Sequence, residues 1–334
     1  MPPLNWLIIG TGDIVQKRAA AAITSAEGSQ LAGVCGERSR SEAIVREHGG
    51  SEVFDDIDTA LSQTCASLVY VATPVYRHRV EAIKAMQAGK HVLIEKPLGL
   101  TAEDAQAMVD AAKTTNRIAG CAFYRRLAPR FAHARELLAR GVLGQIVSVH
   151  IACAGNFNPA ADDPKFWRVN PDLSGGGPLA DMGCHLLDVM IALFGMPRSV
   201  YALIDTLVHD YDVEDVATLL MRLPDGGHVT STHTWCTPTG PYAMDILGSE
   251  GRLTWSSYDA GEVTLTTDGH AQVVDLPPAT NVHEPLVADF VGAVRDGRSP
   301  VCPLGAALMT NQLMDAAYAS AATGEPVALP GRRV

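Results

Sequence analysis

The first 122 residues alternate short apolar segments with helical patterns, and this alternation constrains the fold more than any other feature. The predicted strands cover residues 5–9, 30–35, 68–72, 91–94 and 117–122, and the predicted helices cover residues 13–25, 41–48, 78–88 and 101–114. A strand that connects through a helix to the next strand makes a right-handed crossover, and repeated crossovers build a parallel sheet with helices on both faces. The amino-terminal third therefore predicts a parallel α/β domain.

The pattern changes after residue 122. A helix (129–139), a strand (145–154), a polar loop (155–178) and a helix (179–193) are followed by strands at 200–208, 215–223, 228–235, 242–248 and 252–256, then by helices at 283–294 and 304–322. Asp225-Gly226-Gly227 is a plausible hairpin turn between two of those strands. Successive strands favour a mostly antiparallel sheet, so we predict an α/β chain with domains at residues 1–122 and 123–334, the second of them α+β.

Charge and cysteine usage exclude several classes of protein. The net charge of -11 argues against nonspecific nucleic-acid binding, which needs clustered Lys and Arg. Seven scattered cysteines without a C-x-x-C pair favour reduced thiols over a disulfide framework or a zinc site. The first residues do not resemble a signal peptide, and no apolar run is expected to span a bilayer. We expect a cytoplasmic protein without a membrane partner.

A glycine turn follows the first predicted strand. Gly10 and Gly12 match the first two glycines of the pattern G-x-G-x-x-G, whereas Val15 occupies the third position. The first glycine permits a tight turn, and the second lets the backbone approach a pyrophosphate at the start of a helix. A lone G-x-G is also a common turn, but its place between strand and helix favours a nucleotide site. The predicted cofactor-binding residues here are Gly10, Thr11, Gly12, Asp13 and Ile14.

The residues after the second strand leave the choice of cofactor open. Glu37 could bond the adenine-ribose hydroxyls of NAD. Arg38 and Ser39 would suit the extra phosphate of NADP, and all three could equally form a solvated turn. The sequence predicts NAD or NADP without separating them.

Glu95-Lys96-Pro97 directly follows the apolar segment 91–94. In open parallel sheets ligands bind at the carboxyl edge of the strands. A lysine at that edge is therefore expected to point at a ligand rather than at bulk water.

Taken together, the motifs resemble the glucose-fructose oxidoreductase / inositol dehydrogenase / MocA family over essentially the whole chain. The motifs occur in the family's order: Gly10 to Gly12, Ala72-Thr73-Pro74 with His78, the block Ala88 to Pro97, and Gly175-Gly176-Gly177 followed by Asp181-x-x-x-His185. The resemblance implies an amino-terminal Rossmann domain and a carboxy-terminal domain with a large open sheet that often forms homodimers or homotetramers. It also implies oxidation or reduction of a sugar, cyclitol or related polyol carbon with a pyridine nucleotide, and no metal.

The resemblance assigns roles to individual residues. Lys96, Asp181 and His185 become the candidate catalytic residues, and members of the family differ over whether the lysine or the histidine moves the proton. Asp181 and His185 are four residues apart, so on a helix they share a face, and the triple glycine is interpreted as a flexible entry to that helix. Further cofactor contacts are expected from Thr73, Pro74, His78, Glu95, Lys96 and Arg126, and substrate contacts from Lys96, Trp167, Arg168, Asp181 and His185.

Several residues keep a plainer interpretation beside the functional one. Trp167 could equally anchor its loop by packing. His150, His228 and His233 lie on predicted strands and are expected to be packing or sheet-face residues, while His283 is interpreted as a helix cap.

Three functions remain open on the sequence. The leading one is a sugar or polyol dehydrogenase or reductase. The second is an NAD-dependent glycosidase or lyase that oxidises its substrate transiently with no net redox change. The third is a non-catalytic nucleotide sensor, against which the intact set of Lys96, Asp181 and His185 argues.

Overall fold

The computed structural model describes residues 2–331. Its strands are β1 Leu4–Ile9, β2 Ser29–Cys35, β3 Glu52–Phe54, β4 Leu68–Val71, β5 His91–Ile94, β6 Ala119–Cys121, β7 Ile146–Ala154, β8 Ser199–Asp205, β9 Val216–Arg222, β10 His228–Thr234, β11 Tyr242–Gly248, β12 Gly251–Trp255, β13 Glu262–Thr267, β14 His270–Asp275 and β15 Val327–Ala328. Its α-helices are α1 Ala20–Ser25, α2 Arg38–His48, α3 Ile57–Gln63, α4 Val75–Gln87, α5 Ala102–Thr115, α6 Pro129–Ala139, α7 Pro171–Ser174, α8 Cys184–Phe194, α9 Glu284–Asp296 and α10 Leu304–Thr323. Helical turns of other types cover Val15–Ala19, Tyr124–Leu127, Phe166–Val169 and Leu179–Gly183.

The chain forms two compact units. The first unit consists of two segments, the chain up to Leu127 and Ala279–Leu308. The second consists of Ala128–Pro278 and the chain from Met309 onward. This division differs from the predicted boundary at 122/123, whose second domain reaches residue 334 and so includes three residues outside the described range. The difference has a packing reason, because Phe290 of α9 is fully buried in the core of the first unit, with its ring centroid 5.6 Å from that of Trp6 on β1.

The first unit is built on a six-stranded sheet in the order β3-β2-β1-β4-β5-β6, with every pairing parallel. The predicted parallel α/β fold of the Rossmann type is confirmed. Strand order reverses between β1 and β4, and ligands bind at the carboxyl ends of the strands beside such a reversal. The glycine turn after β1, the segment after β4 and the lysine after β5 all lie at this edge.

The second unit contains a nine-stranded sheet in the order β14-β13-β12-β11-β7-β10-β9-β8-β15. The pair β7 and β10 is parallel and the other pairs are antiparallel, which confirms the predicted mostly antiparallel sheet. The turn at Gly226 joins β9 to β10 as predicted. The sequence interpretation missed β13, β14 and β15. Of these, β14 is largely exposed and lacks the buried alternate positions that mark a strand, and β15 is only two residues long.

The stretch Pro171–Phe194 corrects one expectation. It is 24 residues long and apolar enough to cross a membrane by length and composition, so the expectation that no apolar run could span a bilayer fails on these two criteria. However, 72% of its most apolar window is buried inside the protein, as in the core helix of a globular protein. The feature is therefore weak support for a membrane span.

Candidate active site

The turn after β1 has the geometry that a dinucleotide requires. Gly10 adopts φ +116°, and a Cβ there would lie 2.5 Å from the carbonyl oxygen of Ala72, so β1 and β4 could not approach each other with any other residue. A Cβ on Gly12 would meet nothing within 4 Å. Packing does not require that second glycine, and the open space fits close approach of a ligand to the backbone.

The helix that follows the turn begins with a π-helical segment, Val15–Ala19. Val15, at the third position of the motif, is fully buried in the core of the first unit, where a glycine would leave a void. Thr11 is buried, and its carbonyl oxygen accepts a hydrogen bond from the side chain of Gln16 at 2.9 Å. Asp13 is exposed and pairs with Lys17 at 2.8 Å.

The residues after β2 are engaged with one another. Glu37 caps α2, accepting hydrogen bonds from the backbone N–H groups of Ser39 at 2.9 Å and Arg40 at 3.2 Å, and these bonds with that of the Ser39 hydroxyl lower the pKa of its carboxyl. Arg38 donates from Nε to Asp55 at 3.0 Å. The carboxylates of Glu37 and Asp55 thus already accept hydrogen bonds from Ser39 and Arg38, the donors that could hold a phosphate.

His78 lies between the segments that follow β4 and β5. Its ring is fully buried, with Nε2 2.9 Å from the carbonyl oxygen of Thr73 and Nδ1 3.1 Å from that of Pro97. Two facing carbonyls favour the doubly protonated ring, but burial opposes the charge and is the larger effect, so the pKa of His78 is lowered. The side chain therefore connects the segment after β4 to the segment after β5, and its predicted cofactor contact stays a prediction.

Glu95 lies buried beneath the candidate catalytic lysine, whose peptide bond to Pro97 is cis. Its carboxylate accepts hydrogen bonds from the Tyr70 hydroxyl at 2.6 Å and from the Lys96 backbone N–H at 3.1 Å, and His283 Nε2 lies 3.4 Å away. Burial alone would raise its pKa. The hydrogen bond and charge of His283, with the Tyr70 hydroxyl and the Lys96 charge, together lower the pKa of Glu95 to about 2.

His283 corrects a second expectation. It occupies the residue before α9, as a cap would, but its side chain makes no capping hydrogen bond. Instead the ring is buried beside Glu95 and packs on Tyr124, with the ring centroids 5.1 Å apart. Arg126 lies buried in the turn Tyr124–Leu127, and its predicted cofactor contact stays a prediction.

Asp181 and His185 lie on one helical stretch of the second unit. Asp181 is in the π-helical turn Leu179–Gly183, and His185 is in the first turn of α8 and is buried. Arg168 donates to Asp181 at 3.3 Å and lies 5.7 Å from the ring centroid of Trp167. The hydrogen bond between Arg168 and Asp181 thus connects the loop 155–178 to the helical stretch that follows it, and both residues are predicted to contact substrate. π-Helical turns occur frequently at functional sites.

The triple glycine corrects a third expectation, because two of its residues are tightly packed and do not form a flexible entry. A Cβ on Gly176 would overlap the hydroxyl group of Tyr318, and one on Gly177 would overlap the backbone carbonyl of Glu214. Glu214 accepts hydrogen bonds from the N–H groups of Gly177 at 2.9 Å and Leu179 at 3.1 Å, and from the Tyr318 hydroxyl at 3.1 Å. Burial outweighs these bonds and raises the pKa of Glu214.

The remaining histidines lie where the strand pattern suggested. His150 is on the exposed face of the sheet, 2.8 Å from the Thr230 hydroxyl. His233 is fully buried, its ring 2.8 Å from the Ser231 hydroxyl, and burial lowers its pKa to about 4. Within residues 2–331 no group of three His, Cys, Asp or Glu side chains could hold a metal ion.

Comparison with known proteins gives matches along most of the chain. Residues 4–123 match the oxidoreductase family with an NAD-binding Rossmann fold, and residues 131–254 match the GFO/IDH/MocA C-terminal domain. Oxidoreductase P35 of Formosa agariphila is 27% identical over 93% of this chain and 97% of its own length. D-xylose 1-dehydrogenase (NADP(+)) 2 of Haloferax volcanii is 28% identical over 96% of this chain and 98% of its own. The aldose-aldose oxidoreductase of Caulobacter crescentus, solved with glycerol, superposes with a TM-score of 0.89 at 25% identity, covering 98% of this chain and all of the other.

Proposed function

The chain belongs to the glucose-fructose oxidoreductase / inositol dehydrogenase / MocA family, and from this premise we propose that it moves hydride between NAD and a hydroxyl-bearing sugar carbon. The observation that carries the proposal is the edge of the parallel sheet, where a glycine turn open to a ligand and Lys96 both follow buried strands. A bound nicotinamide would accept or donate the hydride. The protein must bind both molecules and exchange the hydroxyl proton.

We propose NAD rather than NADP as the cofactor. The extra phosphate of NADP would have to displace Asp55 from Arg38 and approach the carboxylate of Glu37. Both changes bring negative charges together, which costs free energy. Glu37 uses only part of the accepting capacity of its two oxygens in capping α2, so it retains capacity for ribose hydroxyls.

The proton-transfer role is proposed for Lys96, with His185 as the other candidate from the second unit. The backbone N–H of Lys96 donates to the Glu95 carboxylate at 3.1 Å, which restrains the backbone of the lysine. Asp181 and Arg168 are proposed to bind substrate hydroxyls through their paired charged groups. An ion pair of this kind offers both a donor and an acceptor, as vicinal hydroxyls require.

An aldose or a related pyranose is the substrate class we propose. Two relatives carry names that specify aldose chemistry, one an aldose-aldose oxidoreductase and the other a D-xylose 1-dehydrogenase. We further propose a cytoplasmic location, supported by seven free cysteines, and homo-oligomers formed through the open sheet face. Leu203 and Leu220 are more than half exposed on adjacent strands of that face, which favours a second copy as its partner.

Lys96→Ala is the test of this proposal. We expect kcat with an aldose panel to fall by about 100-fold or more, the range of a lost acid-base group, while the NADH Kd from tryptophan fluorescence changes little. Lys90→Ala is the matched control, because Lys90 precedes the same strand at its opposite edge and bonds the Ala66 carbonyl at 2.6 Å. Full turnover in Lys96→Ala would refute the role of the lysine.

Parallel titrations of the unaltered protein test the cofactor. NADH is expected to bind at least about tenfold more tightly than NADPH, since one repulsive charge contact costs on the order of 1.4 kcal/mol. Equal affinities would refute the preference. Binding of neither nucleotide would refute the proposed function as a whole.

A further inference from the structure

A buried network lies beneath Lys96, and it involves residues that neither the motifs nor the proposed function includes. The Glu95 carboxylate is at its centre, with the Tyr70 hydroxyl and His283 Nε2 both directed at Oε1, at 2.6 and 3.4 Å. The other oxygen, Oε2, accepts the backbone N–H of Lys96 at 3.1 Å. The His283 side chain is 1% exposed and that of Glu95 is 9% exposed.

Stability alone does not explain a buried network of this kind. Burying a carboxylate with its partners often stabilises a protein no more than apolar residues of the same volume would. Tyr70 also lies in the first unit's apolar core, 6.3 Å from the ring of Trp6, where phenylalanine would fit. A role for the carboxylate itself gives a reason for placing it there.

Hydrogen bonds also fix the backbone at His283. The backbone N–H of His283 donates to Asn281 Oδ1 at 3.0 Å, and Asn281 Nδ2 donates to the Arg18 carbonyl at 2.9 Å. Because Nδ1 of the ring is buried and has no hydrogen-bond partner within residues 2–331, Nε2, which faces Glu95, carries a proton in the neutral and in the charged ring alike. His283 is therefore fixed as a donor to the carboxylate.

The groups around Glu95 come from every neighbouring element. Tyr70 comes from β4, His78 from α4, Cys121 from β6 and His283 from the residue before α9, and Lys96 is the next residue in the chain. Lys96 and His283 are the neighbours whose positive charge can favour the ionised carboxylate most directly. An ionised Glu95 in turn favours the charged ammonium of its neighbour Lys96.

We propose that His283 and Tyr70 are positioning residues, which hold an ionised Glu95 in place and thereby fix both the backbone position and the protonation of Lys96. The inference rests on the proposed role of Lys96. His283 acts through Glu95 and does not touch substrate. Its contribution is to the pH range of turnover rather than to nucleotide binding.

The test compares His283→Leu, His283→Gln and Glu95→Gln in the full-length protein, with pH profiles of kcat and KM and the NADH Kd. His91→Gln is the control, because His91 lies at the opposite end of β5 and accepts the Ile118 N–H at 3.0 Å. We expect His283→Leu and Glu95→Gln to lower kcat about tenfold at neutral pH and to move its pH profile by about one unit towards acid, while the NADH Kd stays within about threefold. His283→Gln, whose amide can still donate to Glu95, is expected to restore most of the profile.

Two results would overturn the inference. One is a uniform loss of kcat without any movement of the profile, which would mean a structural role alone. The other is an unchanged pH profile of kcat in His283→Leu. If Lys96→Ala has abolished turnover in the same series, the proposed function stands and only the positioning role of His283 is refuted. If His283→Leu does not fold, Glu95→Gln decides, because it removes the carboxylate charge at nearly the same side-chain volume, and an unmoved profile there refutes the network.

Discussion

Two buried glutamates, one in each unit, do similar structural work with opposite electrostatics. Glu95 accepts the backbone N–H of Lys96 and the hydroxyl of Tyr70, and Glu214 accepts the backbone N–H of Leu179 and the hydroxyl of Tyr318. The pKa of Glu95 is lowered to about 2 despite its burial, whereas burial raises the pKa of Glu214.

The difference lies in the partners. Glu95 has the charges of His283 and Lys96 beside it, while the hydrogen bonds to Glu214 come from neutral groups. Neutral donors therefore do not offset the burial of a carboxylate, and charged partners do. Glu95 can therefore supply a negative charge beside Lys96, whereas the role that the contacts show for Glu214 is to hold the backbone at Gly177 and Leu179.

The comparison predicts its largest effect on the stability of the folded protein at acid pH. A carboxyl whose pKa is lowered in the folded state contributes stability that is present above its ordinary value near 4.5 and is lost as the pH falls towards 2. At about 1.4 kcal/mol per unit the loss for Glu95 is about 3 kcal/mol. Peptide-resolved hydrogen exchange of the β4–β5 region between pH 5 and pH 2.5 should show it, and Glu95→Gln should lack it.

The same measurement on Glu214→Gln gives the contrast. A carboxyl with a raised pKa contributes stability that is present below its ordinary value and declines as the pH rises through the folded value. Protection of Leu179–Gly183 and α8 in the unaltered protein should therefore weaken as the pH rises, and the glutamine variant should not follow. Parallel pH dependences in the two glutamine variants would refute the distinction.

A smaller effect is expected from removing one hydroxyl in each unit. Tyr70→Phe takes a donor from an ionised acceptor and should cost about 2 kcal/mol in free energy of unfolding. Tyr318→Phe should cost about 1 kcal/mol, because the N–H groups of Gly177 and Leu179 still donate to Glu214. Urea unfolding at pH 7 with hydrogen exchange of each region measures both changes. An equal or larger cost for Tyr318→Phe would contradict the expected difference between the two sites.

The smallest effect is expected at the ion pair of the second unit. Arg168 and Asp181 are 33% and 23% exposed, so solvent screens their attraction. A double-mutant cycle with Arg168→Gln and Asp181→Asn should give a coupling below about 1 kcal/mol in stability. If these residues bind substrate, each single variant should nevertheless raise KM, with the matched exposed pair Arg140 and Glu136 as a control that changes neither.

Local sequence patterns predicted the parts of the site that depend on one segment. The apolar residues of β5 lie as predicted, and with them the position of Lys96 at the end of a strand, and α5 begins within one residue of its predicted start. These features depend on periodicity and capping, which act over a few residues.

The residues that complete the site could not be found in this way. His283 meets Glu95 across 188 positions of sequence, and Glu214 meets Gly177 across 37, so no local pattern links them. The three glycines were interpreted as flexible because glycine permits flexibility, but two of them, Gly176 and Gly177, are required by close approach of Tyr318 and Glu214. Only the packing of distant segments distinguishes the two interpretations.

The return of Ala279–Leu308 to the first unit has a consequence for how the protein is made. Leu286, Val287, Phe290 and Val291 belong to the core that also contains Trp6 and β1. A ribosome adding about 5–20 residues per second needs roughly ten to thirty seconds to go from Leu127 to Phe290. During that time the nascent nucleotide-binding unit carries an incomplete core with exposed apolar surface, which chaperones bind, so a stalled or truncated chain is expected to be cleared rather than to accumulate as a half-enzyme.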